Sequence, residues 1–186
     1  MATRTIGILS PGDMGSGLAR LLRKHSFHVV TNLQGRSPRT RELAAENGIE
    51  DVGSDAALLS AAEIVISVLV PSHAEAMAER VVTSSRSLGQ SLHTKFYIDA
   101  NAVAPTTTRK IGALFENSGI TFIDGSIIGG PPRAKANGEW YRPTIALSGP
   151  KTREVDLDEV FDITHVGPDI GQASALKMSF ASLTKA

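Results

Sequence analysis

The chain has 186 residues, of which 41% are hydrophobic, so it can bury the core of one ordinary domain plus a small extension. Its 19 basic and 19 acidic side chains cancel, and no apolar run approaches the roughly 20 residues of a membrane span, which argues against nucleic-acid and membrane partners. The chain has no cysteine, no histidine in a metal-ligand spacing and no signal-peptide pattern at its start, so we expect no metal site and a cytoplasmic location.

The first predicted element is an apolar strand, Thr3 to Leu9, that runs directly into a glycine turn and a helix. This arrangement can hold a dinucleotide pyrophosphate, because Gly12 brings backbone close to phosphate, Gly15 allows close packing of helix on strand, and the helix N-terminus offers N–H groups. Ser10 replaces the first glycine of G-x-G-x-x-G, so a turn without ligand remains the alternative. The predicted cofactor contacts are Ser10, Pro11, Gly12, Asp13, Met14 and Gly15.

Short apolar segments rich in β-branched residues then alternate with helical patterns. Strands are predicted at Phe27 to Leu33, Glu63 to Val70, Lys95 to Asp99 and Thr121 to Ile128. Helices are predicted around Met14 to Leu22, Ser37 to Asn47, Ser72 to Ser84 and Ile111 to Phe115, with Gly48 and Gly119 at helix stops. Near-continuous apolar strands are typical of a parallel sheet covered on both faces. The order predicts a doubly wound, Rossmann-type α/β domain with right-handed crossovers.

The pattern changes beyond Gly130. Pro131 and Pro132 end the strand, Asn137-Gly138 predicts a turn, and Arg142 to Ser148 predicts a strand, so the sheet should gain a strand pair at its edge, with Asp156 to Thr164 as a further strand. From Asp169 the pattern is helical, without a stop signal before Ala186, so either the chain is cut here or the helix docks on another chain. We assign residues 1–168 to the dinucleotide-binding domain and residues 169–186 to the start of a long helix, with a helical second domain missing. The apolar face of that helix consists of Ile170, Ala173, Leu176, Phe180 and Leu183.

The segment after the second strand indicates which dinucleotide is bound. NAD-specific folds place an acidic residue there to bind the ribose hydroxyls, whereas this chain has Asn32, Arg36 and Ser37. An arginine followed by a hydroxyl suits a 2′-phosphate, which a carboxylate would repel. The sequence therefore predicts NADP (NADPH) bound by these three residues, and the missing acid also argues against a methyltransferase that uses S-adenosylmethionine. The alternative is that Arg36 is a solvated loop residue and Ser37 a helix N-cap.

Five motifs in order resemble the β-hydroxyacid dehydrogenase and 6-phosphogluconate dehydrogenase superfamily. They are Ile6 to Gly15, Val70-Pro71, Asp99 to Pro105, Asp124 to Gly130 and Gly171 to Lys177. The resemblance implies that the second motif lies beside the nicotinamide, that the fourth is the substrate loop and that the fifth carries the catalytic lysine. It extends over nearly the whole chain.

The resemblance implies roles for individual residues. Lys177 would be the acid or base that moves the hydroxyl proton, and its alternative is a surface lysine on an amphipathic helix. Asn101 would donate a hydrogen bond to the substrate or the nicotinamide amide, and its alternative is a turn-forming residue. The remaining implied contacts are Val70 and Pro71 with the cofactor, and Ser126, Gly129 and Gly130 with the substrate.

The chain also departs from the family pattern at positions that face substrate. Ile128 stands where hydroxyacid dehydrogenases have a serine that holds the substrate carboxylate, and Phe180 and Ala181 stand where polar groups are usual. The stretch from Asp124 to Pro131 also resembles imine reductases, although those commonly lack the lysine. Ketones, aldehydes or cyclic imines therefore suit the site better than a simple hydroxy acid.

Three functions are compatible with these observations. The first is an NADP-dependent oxidoreductase acting on a small hydroxy or carbonyl compound. The second is an NADP-binding module without turnover, and the third is the cofactor half of a longer imine or ketone reductase. Relatives usually complete the cleft with a helical domain, often from a dimer partner. Because an uncovered apolar helix face seldom persists in a monomer, we also expect a homodimer through the C-terminal helix.

Overall fold

The computed structural model describes residues 4–151 and 157–183 of the chain. Within them, eight strands form one sheet in the order β10-β9-β6-β5-β4-β1-β2-β3. These strands are β1 Thr5–Leu9, β2 His28–Thr31, β3 Glu50–Asp51, β4 Ile64–Ser67, β5 Phe96–Asp99, β6 Thr121–Ile128, β9 Thr144–Ser148 and β10 Asp162–Gly167. The remaining two strands, β7 Arg133–Ala134 and β8 Trp140–Tyr141, form a separate antiparallel hairpin.

Helices cover both faces of the sheet. They are α1 Asp13–Lys24, α2 Pro38–Glu46, α3 Asp55–Ala61, α4 Ala74–Leu88, α5 Pro105–Leu114 and α6 Gln172–Leu183, with 3₁₀ turns at Pro71–His73 and Gly89–Ser91. Two of them begin at serine caps, since Ser37 and Ser54 accept hydrogen bonds from the backbone N–H three residues on. No helix in the described ranges is both long and apolar enough to cross a membrane.

The sheet is parallel from β3 to β6, and β9 then pairs antiparallel with β6. Alternate residues of each strand enter two separate cores, as strand pleating requires. Ile8 and Ile98 belong to one core, whereas Val65, Tyr97 and Phe122 belong to the other. Because β1, β2 and β4 run parallel, their carboxyl ends lie at one edge of the sheet, where the loops that follow can make a site.

The predicted α/β class and the alternation of strands and helices are confirmed. The sheet gains β9 and β10 at its edge, as predicted, although the turn at Asn137-Gly138 belongs to the small hairpin of β7 and β8. Four short elements were not predicted, namely β3, with two exposed residues, α3, with seven residues, and the two-residue strands β7 and β8. The last predicted strand begins at Asp162, and Thr3, Asp156 and Thr184 to Ala186 lie outside the described residues.

The predicted apolar face of the last helix is only partly exposed. Ile170 packs against the core that contains Phe122, and Ala173 is buried, because the first turn of α6 lies on β6. Phe180 and Leu183 are 47% and 78% exposed. The boundary at residue 168 and the missing second domain remain predictions.

Candidate cofactor site

The loop between β1 and α1 has the shape that a glycine pattern requires, although its first glycine is absent. Ser10 has a φ of 57°, in the left-handed region that glycine occupies readily. The turn is closed by a hydrogen bond of 2.7 Å from the Gly12 N–H to the Ser10 carbonyl and by one of 3.1 Å from Ser16 Oγ to the Pro11 carbonyl. Gly12 caps α1 without any side-chain hydrogen bond, so the backbone donors at this terminus have no side-chain acceptor among the described residues.

The two remaining glycines of the loop have different surroundings. A Cβ built on Gly12 would meet nothing within 4 Å, so the space beside its backbone is open. A Cβ on Gly15 would lie 3.2 Å from Ile8 Cγ2 and 3.3 Å from the Ser10 carbonyl oxygen. Gly15 therefore permits close packing of α1 on β1, while Gly12 leaves room for a ligand to approach backbone N–H groups.

A cleft of about 390 Å³ lies against this loop. Of the predicted cofactor residues, seven line it, namely Ser10, Gly12, Asp13, Met14, Gly15, Arg36 and Val70. Four further lining residues were not predicted, namely Thr40, Val68, Leu69 and His73. Val68 and Leu69 could have been found as the continuation of a strand that ends at this edge of the sheet. Thr40 and His73 line the cleft because of how α2 and the 3₁₀ turn pack, and the neighbouring sequence does not indicate such packing.

Arg36 is half-buried at the rim of the cleft and donates no side-chain hydrogen bond to the described residues. Its pKa is lowered first by burial and then by repulsion from Arg80, and the nearby Asp55 carboxylate partly opposes this. Ser37 caps α2 by accepting a bond of 3.3 Å from the Thr40 N–H, as its alternative interpretation predicts. A cationic donor without a protein acceptor therefore remains at the cleft.

Carboxylates reach the end of β2 from other elements, although the β2 segment itself contains none. Asp51 Oδ1 accepts from the Leu33 N–H at 3.0 Å. Asp55 Oδ1 accepts from Asn32 Nδ2 at 2.7 Å, and Asn32 Oδ1 accepts from the Gln34 N–H at 2.9 Å. Asn32 therefore shapes the loop that carries Arg36, and its predicted contact with the cofactor stays a prediction.

Asn101 is 2% exposed and joins the ends of β4 and β5. Its Oδ1 accepts from the Leu69 N–H at 2.6 Å, and its Nδ2 donates to Ser67 Oγ at 3.0 Å and to Asp99 Oδ1 at 2.5 Å. Both amide hydrogens are thus bound to protein groups, which matches the turn-forming alternative. Asp99 Oδ2 has no partner among the described residues, and burial, together with the Asp124 charge, raises the pKa of Asp99 to about 6.

Asp124 connects β6 to the start of α6. Its Oδ2 accepts from Ser148 Oγ, the Gly171 N–H and the Ser174 N–H at 2.9, 2.9 and 3.1 Å, and its Oδ1 accepts from Ser174 Oγ at 2.7 Å. Asp124 is fully buried, and the first turn of α6 is therefore fixed on β6. The sequence marked Asp124 as the start of a substrate loop, and its capping of α6 was not predicted.

The predicted substrate residues do not line the cleft at the glycine loop. Ser126 is fully buried, and its Oγ has no hydrogen-bond partner among the described residues. Gly129 has a φ of 123°, and the Gly130 N–H donates to the Tyr141 hydroxyl at 3.3 Å. Their contact with substrate remains a prediction, as does that of Pro11 and Pro71 with the cofactor.

Lys177 is half-buried on α6, three residues after Ser174, which donates hydrogen bonds to Asp124. Burial lowers its pKa, which favours the neutral amine that a general base requires. No cluster of three potential metal ligands occurs in the part of the chain that the structure describes. The described residues offer a glycine loop and an arginine at one cleft and, on a separate element, one partly desolvated lysine.

Residues 5–162 match the model of a known family, the NAD binding domain of 6-phosphogluconate dehydrogenase. The chain belongs to this family. The residues present fit a dinucleotide, because Gly12 leaves open space beside uncapped backbone donors and Arg36 donates to no acceptor within residues 4–151 and 157–183.

Two curated relatives of this dinucleotide-binding domain are longer than the chain itself. An uncharacterized 28.5 kDa protein of Methanothermus fervidus is 28% identical over 97% of this chain and 65% of its own length. L-threonate dehydrogenase of Cupriavidus necator is 27% identical over 80% of this chain and 47% of its own length. The chain therefore spans about half to two thirds of the curated relatives that it matches.

Solved structures carry the same fold. A conserved protein described as structurally similar to 3-hydroxyacid dehydrogenases is 30% identical, with a TM-score of 0.78 over 97% of this chain and 64% of that one. An imine reductase from Myxococcus stipitatus, solved with NADP+, has a TM-score of 0.77 at 19% identity, over 97% of this chain and 61% of that one. At that identity the second likeness shows the fold alone.

Proposed function

We propose that the chain binds NADPH and forms the cofactor-binding part of an NADP-dependent oxidoreductase. The observation that carries the proposal is the presence of an unpaired, half-buried Arg36 on the same cleft as the uncapped N-terminus of α1. Backbone donors at the helix terminus suit the pyrophosphate, and a guanidinium suits a 2′-phosphate. Val70, 61% exposed at the rim, would contact the nicotinamide together with Pro71.

The proposed reaction interconverts a small carbinol and a carbonyl, or an amine and an imine. The nicotinamide, when bound, donates or accepts the hydride. Lys177 would transfer the proton at the substrate oxygen or nitrogen, since burial favours its neutral form. Ile128 and Phe180 favour an uncharged substrate, because an apolar group in place of a hydroxyl leaves a carboxylate oxygen without its donor. The relative named L-threonate dehydrogenase makes hydroxy acids the substrates to test against this expectation.

We also propose a homodimer and a cytoplasmic location. Phe180 and Leu183 expose apolar surface at the end of α6, and such surface is commonly covered by a partner. Sedimentation velocity tests the dimer, and a monomer at high protein concentration would contradict it.

Calorimetric titration with NADPH and NADH tests the choice of cofactor. Arg36→Ala should weaken NADPH binding by roughly 1.5–3 kcal/mol, the scale of a charge-assisted hydrogen bond, and leave NADH binding nearly unchanged. Arg86→Ala, at an exposed arginine of α4, is the matched control and should change neither. Equal losses for the two cofactors in Arg36→Ala would refute the assignment of the 2′-phosphate.

Turnover tests the role of Lys177. Lys177→Met should leave NADPH affinity intact and lower turnover of carbonyl or imine substrates by about 100-fold or more. Full activity would remove Lys177 from the mechanism. NADPH binding without turnover of any substrate in the unmodified protein would favour the non-catalytic module.

A further inference from the structure

The end of β2 contains a carboxylate that comes from α3. Asp55, the first residue of that helix, bonds Asn32 through Oδ1, and its side chain is only 12% exposed. Dinucleotide folds that select NAD place an acid at this strand end, where it binds the ribose hydroxyls and repels a 2′-phosphate. A carboxylate here would therefore oppose the proposed NADPH preference if its charge faced the ligand.

Arg80 of α4 covers this carboxylate. Its Nε and Nη2 both donate to Asp55 Oδ2, at 3.1 and 2.7 Å. Together with Asn32 on Oδ1, these bonds occupy both oxygens of Asp55. The pair is mostly shielded from water on the carboxylate side, so neutralisation by Arg80 is more effective than in an exposed ion pair.

Arg36 lies within electrostatic range of both members of this pair. The positive charge of Arg80 and the negative charge of Asp55 both act on its guanidinium, with the repulsion from Arg80 the larger of the two. If Arg80 were absent, Asp55 Oδ2 would be left without its partner, and the Asp55 charge would attract Arg36 without opposition from Arg80. An ion pair between Asp55 and Arg36 would withdraw Arg36 from the ligand.

We propose that Arg80 determines cofactor preference by occupying Asp55, which hides an NAD-type carboxylate and keeps Arg36 available for a 2′-phosphate. The proposal rests on the proposed function, in which this cleft binds NADPH through Arg36. Arg80 acts through Asp55 and is a positioning residue. Whether the ligand at the end of β2 meets the negative charge of Asp55 or the positive charge of Arg36 would therefore depend on a residue of α4, which is distant from β2 in the sequence.

Calorimetric titration of NADPH and NADH against Arg80→Met tests the proposal. We expect NADPH to bind at least about tenfold more weakly, and NADH to bind as in the unmodified chain or more tightly. Arg86→Met is the matched control, because Arg86 is an exposed arginine of the same helix, and it should change neither affinity. Thermal unfolding of each variant verifies that it is folded before titration.

The double variant Arg80→Met with Asp55→Asn separates action through Asp55 from direct contact with phosphate. Without the carboxylate there is nothing for Arg80 to hide, so NADPH affinity should return to within about threefold of the unmodified chain. An NADPH loss in Arg80→Met that the second substitution does not reverse would overturn the proposal. Equal losses for NADPH and NADH in Arg80→Met would overturn it as well.

Failure of the proposed function gives a different result. If Arg36→Ala weakens NADPH selectively and Arg80→Met does not, NADPH binding through Arg36 stands and the role of Arg80 is refuted. If the unmodified chain binds neither cofactor, or if Arg36→Ala leaves NADPH affinity unchanged, the proposed function is refuted. The role proposed for Arg80 is then refuted as well, because it depends on that function.

Discussion

The glycine-loop side and the α6 side of the molecule use their polar groups in opposite ways. At the glycine-loop side, defined by residues 10–15 and Arg36, backbone donors lack a side-chain cap and the guanidinium lacks an acceptor in the described chain. At the α6 side, defined by Asn101, Asp124, Ser148 and Ser174, the polar side chains bond one another and neighbouring backbone. Because burying an unpaired polar group is costly, the first side is prepared for a ligand, and the second supports the elements around it.

Removing Asp124 should give the largest effect on stability. Asp124→Ala leaves two hydroxyls and two N–H groups without their acceptor in a fully buried place. We expect a loss of roughly 3–5 kcal/mol in the free energy of unfolding, measured by urea denaturation. Glu116→Ala, an exposed position on the loop after α5, should change it by less than about 0.5 kcal/mol. A loss below about 1 kcal/mol in Asp124→Ala would mean that α6 is held chiefly by apolar contacts.

Asp99, which bonds Asn101 on the α6 side, is the exception there, because its Oδ2 has no partner among the described residues, and it predicts a pH dependence. Burial raises the pKa of Asp99 to about 6 from its ordinary 3.8, so the folded state favours the protonated carboxyl. The stability that this carboxyl contributes is complete below the lower value and is lost as the pH rises through about 6, a total of about 3 kcal/mol.

Asp99→Asn removes this titration. The unfolding free energy of the variant should therefore gain about 2–3 kcal/mol relative to the unmodified chain between about pH 4 and pH 7. Urea denaturation across that pH range measures it. A constant difference between the two proteins would show that Asp99 does not titrate there.

On the glycine-loop side, substitution should affect binding more than stability. Gly12→Val places a side chain in open space, so the fold should survive while NADPH and NADH affinities fall by about 100-fold or more, the equivalent of about 2.7 kcal/mol. Gly15→Val is the contrasting variant, because its side chain meets Ile8 and should cost roughly 1–3 kcal/mol of stability. Unchanged cofactor affinity in Gly12→Val would place the pyrophosphate elsewhere.

The sequence predicted well what depends on neighbouring residues. Apolar strands alternating with helices predicted the parallel sheet, and Ser37 before Pro38 marked the start of α2. The glycine loop was recognisable because its residues are contiguous, and its strand, turn and helix appear where they were expected. Even the serine at the first glycine position fits, since Ser10 adopts the positive φ that the turn needs.

The sequence could not predict contacts made by packing between distant elements. Thr40 lines the cleft because of the way α2 lies against the loop, and Asp55 meets Asn32 only because α3 lies beside β2. Asn101 illustrates the other limit, because an asparagine after a strand is equally compatible with a turn and with a ligand contact. The direction in which its amide points is decided by Leu69, Ser67 and Asp99, which lie on two neighbouring strands and their loops.

Asn101→Ala gives the smallest expected effect and decides to which side this residue belongs. The variant leaves the Leu69 N–H without its acceptor and should lower the free energy of unfolding by about 1–2 kcal/mol, while NADPH affinity changes by less than about threefold. Asn137→Ala, in the exposed turn of the hairpin, is the control and should alter neither quantity appreciably. Urea denaturation and calorimetry on the same samples measure both. If NADPH affinity instead falls by about tenfold with stability intact, Asn101 contacts the cofactor, as its position in the sequence predicts. Asn101 would then belong with the ligand-binding residues of the glycine-loop side and not with the hydrogen-bonded residues of the α6 side.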